Sequence, residues 1–400
     1  MRVLLADSLS DTVLSMLGEA SLEVVNEPGL SGDALTAALG RHAPQVLVVR
    51  STKVPKEAIL ASPALELIVR AGAGYDTIDV LTASEAGVFV ANCPGKNATA
   101  VAELTIGLLM ALDRSIPDNV MDARSGAWNK AKYGKAEGLK GRTLGVVGLG
   151  NIGREVVSMA HALGMHIVGW SRSLTDAQAR ELGVLRVDSP VDVAARADAV
   201  TLHVAATDDT RQLADKAFFG AMKQGAFFIN TTRASVVDEA AMTQAMQDKG
   251  IRVALDVFSD EPAAKSGSFQ HPLASHPNVY LTHHIGASTE QAQNAIAEEA
   301  ARIIITYATT GDVPNCVNLA TKTPATHQLT VRHRDKVGVL AGVLETMRQA
   351  NWNIHEMENV VFDGAKAACA YIRFDGTVQT AVVERISELD DILAVSLMEL

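Results

Sequence analysis

The stretch Gly148-Leu149-Gly150-Asn151-Ile152-Gly153 stands directly after an apolar run, Leu144–Val147, and directly before a helical pattern through Val156, Val157 and Ala160. Strand, three glycines and helix in that order leave few folds open. The first glycine permits the tight turn, the second lets backbone approach a pyrophosphate, and the third lets helix pack on strand. A pyrophosphate would then meet the unpaired N–H groups at the start of the helix, Asn151 and Ile152 included. A dinucleotide-binding βαβ unit is the reading, with NAD or NADP as cofactor.

Short apolar runs recur on both sides of this motif, separated by helical stretches: Val3–Ala6, Val24–Val25, Val46–Val49, Leu67–Val69 and Val88–Ala91 before it, then His166–Gly169, Ala199–Val204, Ala226–Asn230, Val253–Val257 and Val279–Thr282 after it. Strands apolar on both faces belong to parallel sheets covered by helices on both sides. They are too many for one ordinary sheet, so the pattern predicts an α/β chain with two doubly wound parallel-sheet domains, one flavodoxin-like and one Rossmann. Ala100–Leu112 is apolar nearly all round, as a helix buried between two units would be.

Beyond residue 318 the pattern changes. Residues 319–328 read as a linker. The rest runs strand (Leu329–Arg332), helix (Val339–Ala350), strand (Asn353–Asn359), strand (Ala367–Phe374), helix (Val378–Glu388), strand (Leu393–Glu399), the ferredoxin-like βαββαβ order. The expected division is residues 1–95 with 290–318, residues 96–289, and residues 329–400.

A formal net charge of −11 argues against nucleic acid or an anionic membrane as partner. No apolar stretch is long enough to cross a bilayer, and Met1–Asp7 reads as a strand, not a leader. Cys93, Cys316 and Cys369 lack disulfide or metal spacing and suit a reducing compartment. The expected location is the cytoplasm, and no metal is expected.

Three polar positions follow strand ends, where α/β enzymes place chemistry. Arg233 follows the strand ending at Asn230, Glu261 lies in Leu255–Pro262, and His284 follows Val279–Thr282. An arginine grips a carboxylate bidentately. A histidine exchanges the proton of a hydroxyl, and an acid holds its ring and favours the charged form. By contrast His271 and His276, in a polar loop, read as solvated. Where the dinucleotide fingerprint expects an acid for the ribose, the strand His166–Gly169 instead runs into Trp170-Ser171-Arg172. Ser171 with Arg172 suits a 2′-phosphate, so NAD and NADP both stay open.

The chain resembles the D-isomer-specific 2-hydroxyacid dehydrogenases over roughly its first 318 residues, through Val49-Arg50-Ser51-Thr52-Lys53-Val54, Arg70–Asp76, Ala102–Thr105, the glycine fingerprint, Asn230–Arg233, Leu255–Pro262 and His284–Thr289. That resemblance implies Arg233 as the substrate-binding arginine, Glu261 as the acid and His284 as the proton donor. It implies His203, Val204, Thr231, Thr232, Asp256, Gly286 and Ala287 as cofactor contacts. Arg50, Ser51, Gly72, Ala73, Gly74 and Lys130 are implied around the substrate, with Lys130 reaching it across a dimer. The implied substrate is 3-phosphoglycerate, with glyoxylate or hydroxypyruvate reduction as the alternative. A non-catalytic nucleotide sensor is the reading from another class, since a corepressor family shares the fold. Two departures stand out: His283 precedes His284 where the family has proline, and Ala234 follows Arg233 where it has glycine.

The last 72 residues resemble an ACT domain, through His333–Leu340 and Asn353-Ile354. This implies an amino-acid effector such as serine, held by His333, Asp335 and Asn353 between paired copies. A homodimer or homotetramer is expected with it.

Overall fold

The computed structural model describes residues 1–262 and 267–400 and divides the chain into two compact units, Met1–Asn318 and Leu319–Leu400. The first unit holds two parallel sheets. Strands β1 (Arg2–Leu5), β2 (Glu23–Asn26), β3 (Val46–Val49), β4 (Leu67–Arg70) and β5 (Phe89–Asn92) pair in the order β2-β1-β3-β4-β5. All are parallel. This is the flavodoxin-like order. Every residue of β3 is buried, as its unbroken Val-Leu-Val-Val run demands of a central strand. Helix Glu290–Thr310 packs on this sheet although it comes last in the unit: Ile296, Ala300, Ile303 and Ile304 share a core with Val3, Leu5, Val46 and Val69.

The second sheet contains β6 (Thr143–Val147), β7 (His166–Trp170), β8 (Leu185–Arg186), β9 (Ala199–Leu202), β10 (Phe227–Asn230), β11 (Arg252–Leu255) and β12 (Val279–Leu281). Their order is β12-β11-β10-β9-β6-β7-β8, again all parallel, which is the Rossmann arrangement with one strand added. The chain reverses direction across the sheet between β6 and β9, and such a switch point opens a crevice at the strands' C-terminal ends. Helix Ala98–Arg114 covers one face, with Ala102, Ile106, Leu109 and Leu112 against Leu144, Val146 and Ile229. β8 has only two residues, both exposed, so no apolar run announces it.

In the second unit β13 (His327–Arg334), β14 (Asn353–Val361), β15 (Ala367–Asp375) and β16 (Ile392–Glu399) form an antiparallel sheet in the order β14-β15-β13-β16. Helices Val339–Gln349 and Thr380–Ser387 complete the βαββαβ order. Its core contains Leu329, Val331, Val343, Met347, Ile372 and Phe374, with Trp352 stacked on Phe374 at 4.5 Å.

Candidate active site

The C-terminal strand ends of the two parallel sheets open on one cavity of about 1350 Å³. From the second sheet come Arg233 after β10, Asp256 after β11, and His284 after β12. His284 Nδ1 lies 2.7 Å from Glu261 Oε2, and Glu261 Oε1 accepts the N–H of Phe258 at 2.9 Å. Both carboxylate oxygens are therefore engaged. Burial pushes the Glu261 carboxyl up, but the bonds from His284 and Phe258 outweigh it and hold the group below its usual range. Because Glu261 takes Nδ1, Nε2 is the ring nitrogen left free to exchange a proton.

Asp256 organises the turn that carries this histidine. It is 1% exposed and accepts from Thr282 Oγ1 at 2.5 Å, Ile285 N–H at 2.9 Å and Gly286 N–H at 2.9 Å. Three bonds across that turn fix His284 in a left-handed backbone conformation, φ 51°.

Arg233 is held from the first sheet's side. Its Nε and Nη2 donate to the two oxygens of Asp76 at 3.2 and 3.1 Å, and Nη1 donates to the Thr232 carbonyl at 2.8 Å. A guanidinium has five N–H donors. Two remain, one on each terminal nitrogen, which is the fork that fits a carboxylate. Burial pushes Asp76 up, but Arg233 outweighs this and keeps it ionised below the usual carboxylate range.

The first sheet contributes Arg50, Ser51, Gly72, Ala73 and Gly74 to the cavity. Asp7, just after β1, accepts the backbone N–H groups of Arg50, Ser51 and Thr52 at 2.7, 3.1 and 3.1 Å, so these amides are already engaged by a carboxylate from the neighbouring strand end. Arg70, at the end of β4, also lines the cavity, and its Nε is buried without a partner among the described residues. Burial and then the charge of Arg233 push its guanidinium down to about 10. Gly72 lies under it with φ 151°, where any side chain would collide with the guanidinium. Arg70 and Asp76 are functional candidates that the residue-by-residue sequence reading missed. The signal was present, since both flank the glycines of Arg70–Asp76 at the end of a strand.

Residues 106–286 match the NAD binding domain of the D-isomer specific 2-hydroxyacid dehydrogenases. A D-3-phosphoglycerate dehydrogenase of Methanocaldococcus jannaschii is 38% identical over 309 residues, which are 76% of this chain and 57% of that protein. The TT0316 protein of Thermus thermophilus is 31% identical, with TM-score 0.69 over 79% of this chain and all of that one. The chain belongs to the D-isomer specific 2-hydroxyacid dehydrogenase family. An NADPH-dependent glyoxylate/hydroxypyruvate reductase of Sinorhizobium meliloti is similar as well, 29% identical with TM-score 0.69 over 79% of this chain and 96% of that one. The chain spans 55% to 64% of the length of the first curated relatives it matches.

The glycine loop fits the dinucleotide of such a family. Gly148 (φ 97°) packs against the His203 backbone, and Gly153 against the Gly148 carbonyl, with no room for a Cβ at either. Gly150 faces open space, and Gly150, Asn151 and Ile152 line the cavity where the helix Asn151–Ala162 begins. His203, Val204, Thr231, Thr232, Gly286 and Ala287 line it too. Burial holds the His203 ring neutral, at about 3, with Nε2 on Thr201 Oγ1 at 3.0 Å and Nδ1 buried without a partner among the described residues.

The remaining candidates do not line this cavity, and the expectation for His271 changes. Lys130 begins a short exposed helix, Lys130–Tyr133, and does not line the cavity of its own chain. Ser171 and Arg172 stand beyond β7, off the cavity wall, and Arg172 Nη1 pairs with Asp209 Oδ2 at 3.3 Å. His271 is not solvated but buried, its ring 5.8 Å from Phe269 and 5.5 Å from Phe258, because the loop folds its apolar residues inward. His333 and Asn353 do not meet within one chain: they pair with Ala368 and Asp375, seven positions apart along β15, roughly 23 Å at the usual strand rise. His333 is buried, with Nε2 at 3.1 Å from Asn359 Oδ1, while Asp335 is exposed.

Proposed function

We propose that this chain is a nicotinamide-dependent dehydrogenase interconverting D-2-hydroxy acids and 2-keto acids. The observation that carries the reading is the Glu261–His284 pair at 2.7 Å, facing the same cavity as Arg233 and the glycine loop. The two free N–H groups of Arg233 grip the substrate carboxylate. His284 Nε2 then takes the hydroxyl proton in oxidation and returns it to the carbonyl oxygen in reduction. Glu261 keeps the ring oriented and stabilises its charged form. Gly150, Asn151 and Ile152 would hold the pyrophosphate, and the nicotinamide, when bound, supplies the hydride chemistry. A purified chain that oxidises no NAD(P)H with any 2-keto acid would be a nucleotide sensor instead.

The substrate we propose is 3-phosphoglycerate, with 3-phosphohydroxypyruvate as product. Curated relatives at 35–38% identity carry that activity in their names. Arg50 and Arg70 add cations beyond the one a plain 2-hydroxy acid needs. A second reading, reduction of glyoxylate or hydroxypyruvate, is favoured by Ser171, which stands where the dinucleotide fingerprint expects an acid. Turnover with 3-phosphohydroxypyruvate, hydroxypyruvate and glyoxylate separates them. A preference for the phosphorylated acid supports the first; a preference for the others overturns it.

We read the second unit as an ACT-like regulatory domain. An amino-acid effector on His333 and Asn353 would need two copies of the chain, consistent with a homodimer or homotetramer. Among the described residues no helix is long and apolar enough to cross a membrane, and Cys93, Cys316 and Cys369 are free thiols. Both fit the cytoplasm.

A further inference from the structure

The acid that selects an unphosphorylated ribose is missing after β7, yet a carboxylate reaches the same place from another loop. We propose that Asp209 is the cofactor-selecting acid of this chain and makes NADH, not NADPH, its preferred cofactor. The inference rests on the dinucleotide reading given above.

In parallel sheets of this kind the ribose lies beside the glycine loop, at the end of the neighbouring strand. Here that strand is β7, paired to β6 with Val147 opposite Trp170, so Ser171 and Arg172 follow at the ribose position. β9 lies on the other side of β6, with Leu202 opposite Val147. The segment after β9 runs over the glycine loop: the His203 backbone packs on Gly148, and Val204, Ala205, Ala206 and Thr207 line the cavity. It continues to Asp209, whose carboxylate meets Arg172 at 3.3 Å. The two loops thus leave the sheet on opposite sides of β6, and their exposed side chains meet in this ion pair beside the cavity rim.

Asp209 is not on a loose loop. It sits in a single helical turn, Asp208–Thr210, fastened by Thr210 Oγ1 to the Thr207 N–H at 2.8 Å and to the Ala205 carbonyl at 2.6 Å. Arg172 alone would attract a 2′-phosphate. With Asp209 on it and Asp208 next in sequence, the segment brings two carboxylates to a place with one guanidinium. Arg211 follows on the same segment and pairs with neither acid among the described residues. A 2′-phosphate would have to displace Asp209 and then face both acids, whereas a 2′-hydroxyl can donate to one of them.

The test is equilibrium binding of NADH and NADPH to the full chain by fluorescence titration, with kcat/KM beside it. The native protein is expected to bind NADH more tightly than NADPH. Asp209→Asn keeps the shape, removes one charge and frees Arg172. It should tighten NADPH roughly fivefold, the scale of one surface charge at a few ångströms, and weaken NADH at most a few-fold, so that the NADPH-to-NADH affinity ratio rises. The gain should shrink as salt rises and vanish in the double variant Asp209→Asn, Arg172→Ala. An unchanged melting temperature shows that the variants fold. A native preference for NADPH, or an Asp209→Asn variant with unaltered NADPH affinity, overturns the proposal and leaves the dinucleotide reading standing. Failure of the native chain to bind either nucleotide overturns both.

Discussion

His284 occupies a left-handed backbone conformation that costs a non-glycine residue about 1–3 kcal/mol. Asp256 offsets that cost with three hydrogen bonds to the surrounding turn, which places the imidazole where Glu261 can hold it. His284→Ala should therefore lower turnover on the order of 10²–10⁴-fold, the usual loss of a general acid–base group. Dinucleotide affinity should be retained, and near-normal turnover would remove the histidine from the mechanism. Arg233→Lys tests the donor count instead. A lysine keeps the charge but cannot serve Asp76, Thr232 and a substrate fork together. Losing charged hydrogen bonds of about 1.5–3 kcal/mol each predicts roughly a 10–100-fold drop in kcat/KM, read in steady-state kinetics. An unchanged kcat/KM would show that charge alone suffices. At this scale Arg233, Glu261 and His284 were legible because each follows a strand end. Asp76 could be noticed beside the glycines that follow a strand, but its pairing with Arg233 could not, since it lies 157 residues before that arginine and only the meeting of two sheets joins them.

At the level of elements, the glycine loop separates folding from binding. Gly148 needs its positive φ and has the His203 backbone against it, whereas Gly150 faces open space. Gly148→Ala should lower the melting temperature. Gly150→Val should fold normally and lose dinucleotide affinity in titration, because the added branch fills the pyrophosphate path; retained affinity would dissociate the loop from the nucleotide. Helix Glu290–Thr310 supplies a different kind of joint. Buried Glu299 binds Arg302 Nη2 at 2.6 Å, Asn315 Nδ2 at 2.8 Å and Lys96 Nζ at 3.4 Å. These bonds, Arg302 first, hold its carboxyl down at about 2 despite burial. A depressed carboxyl stabilises the fold above its unfolded value near 4.5 and loses that contribution as pH falls toward 2. Native protein should exceed Glu299→Gln in denaturant stability at neutral pH, and the difference should close across that acid window. A pH-independent difference would assign the effect to packing. The apolar runs announced every long strand and the burial of helix Ala98–Arg114. They could not announce β8, which buries nothing, or the ion-pair joint, whose members are scattered along the sequence from Lys96 to Asn315.

For the whole molecule, the question is how far the two units depend on one another. The second spans residues 319–400, enough chain for an independent core. It has one: Leu329, Val331, Val343, Met347, Ile372 and Phe374 are fully buried within it, and Trp352 donates to the Thr377 carbonyl at 3.0 Å. The first unit likewise contains both parallel sheets, the cavity, Arg233, Glu261 and His284. The βαββαβ order of the second unit was legible from alternating runs, whereas its proposed effector residues could be named only through the resemblance. Strand register sends His333 and Asn353 to opposite ends of the sheet, and spacing along a sequence carries no register. If the units fold separately, a chain ending at Asn318 should melt cooperatively, bind the same dinucleotide and turn over 2-keto acids, while losing any response to amino acids. Thermal unfolding of the full chain should then show two transitions, one of which is absent from the shortened chain. A shortened chain that cannot bind the dinucleotide would mean that the second unit contributes to the first unit's stability, and that regulation and folding share one set of contacts.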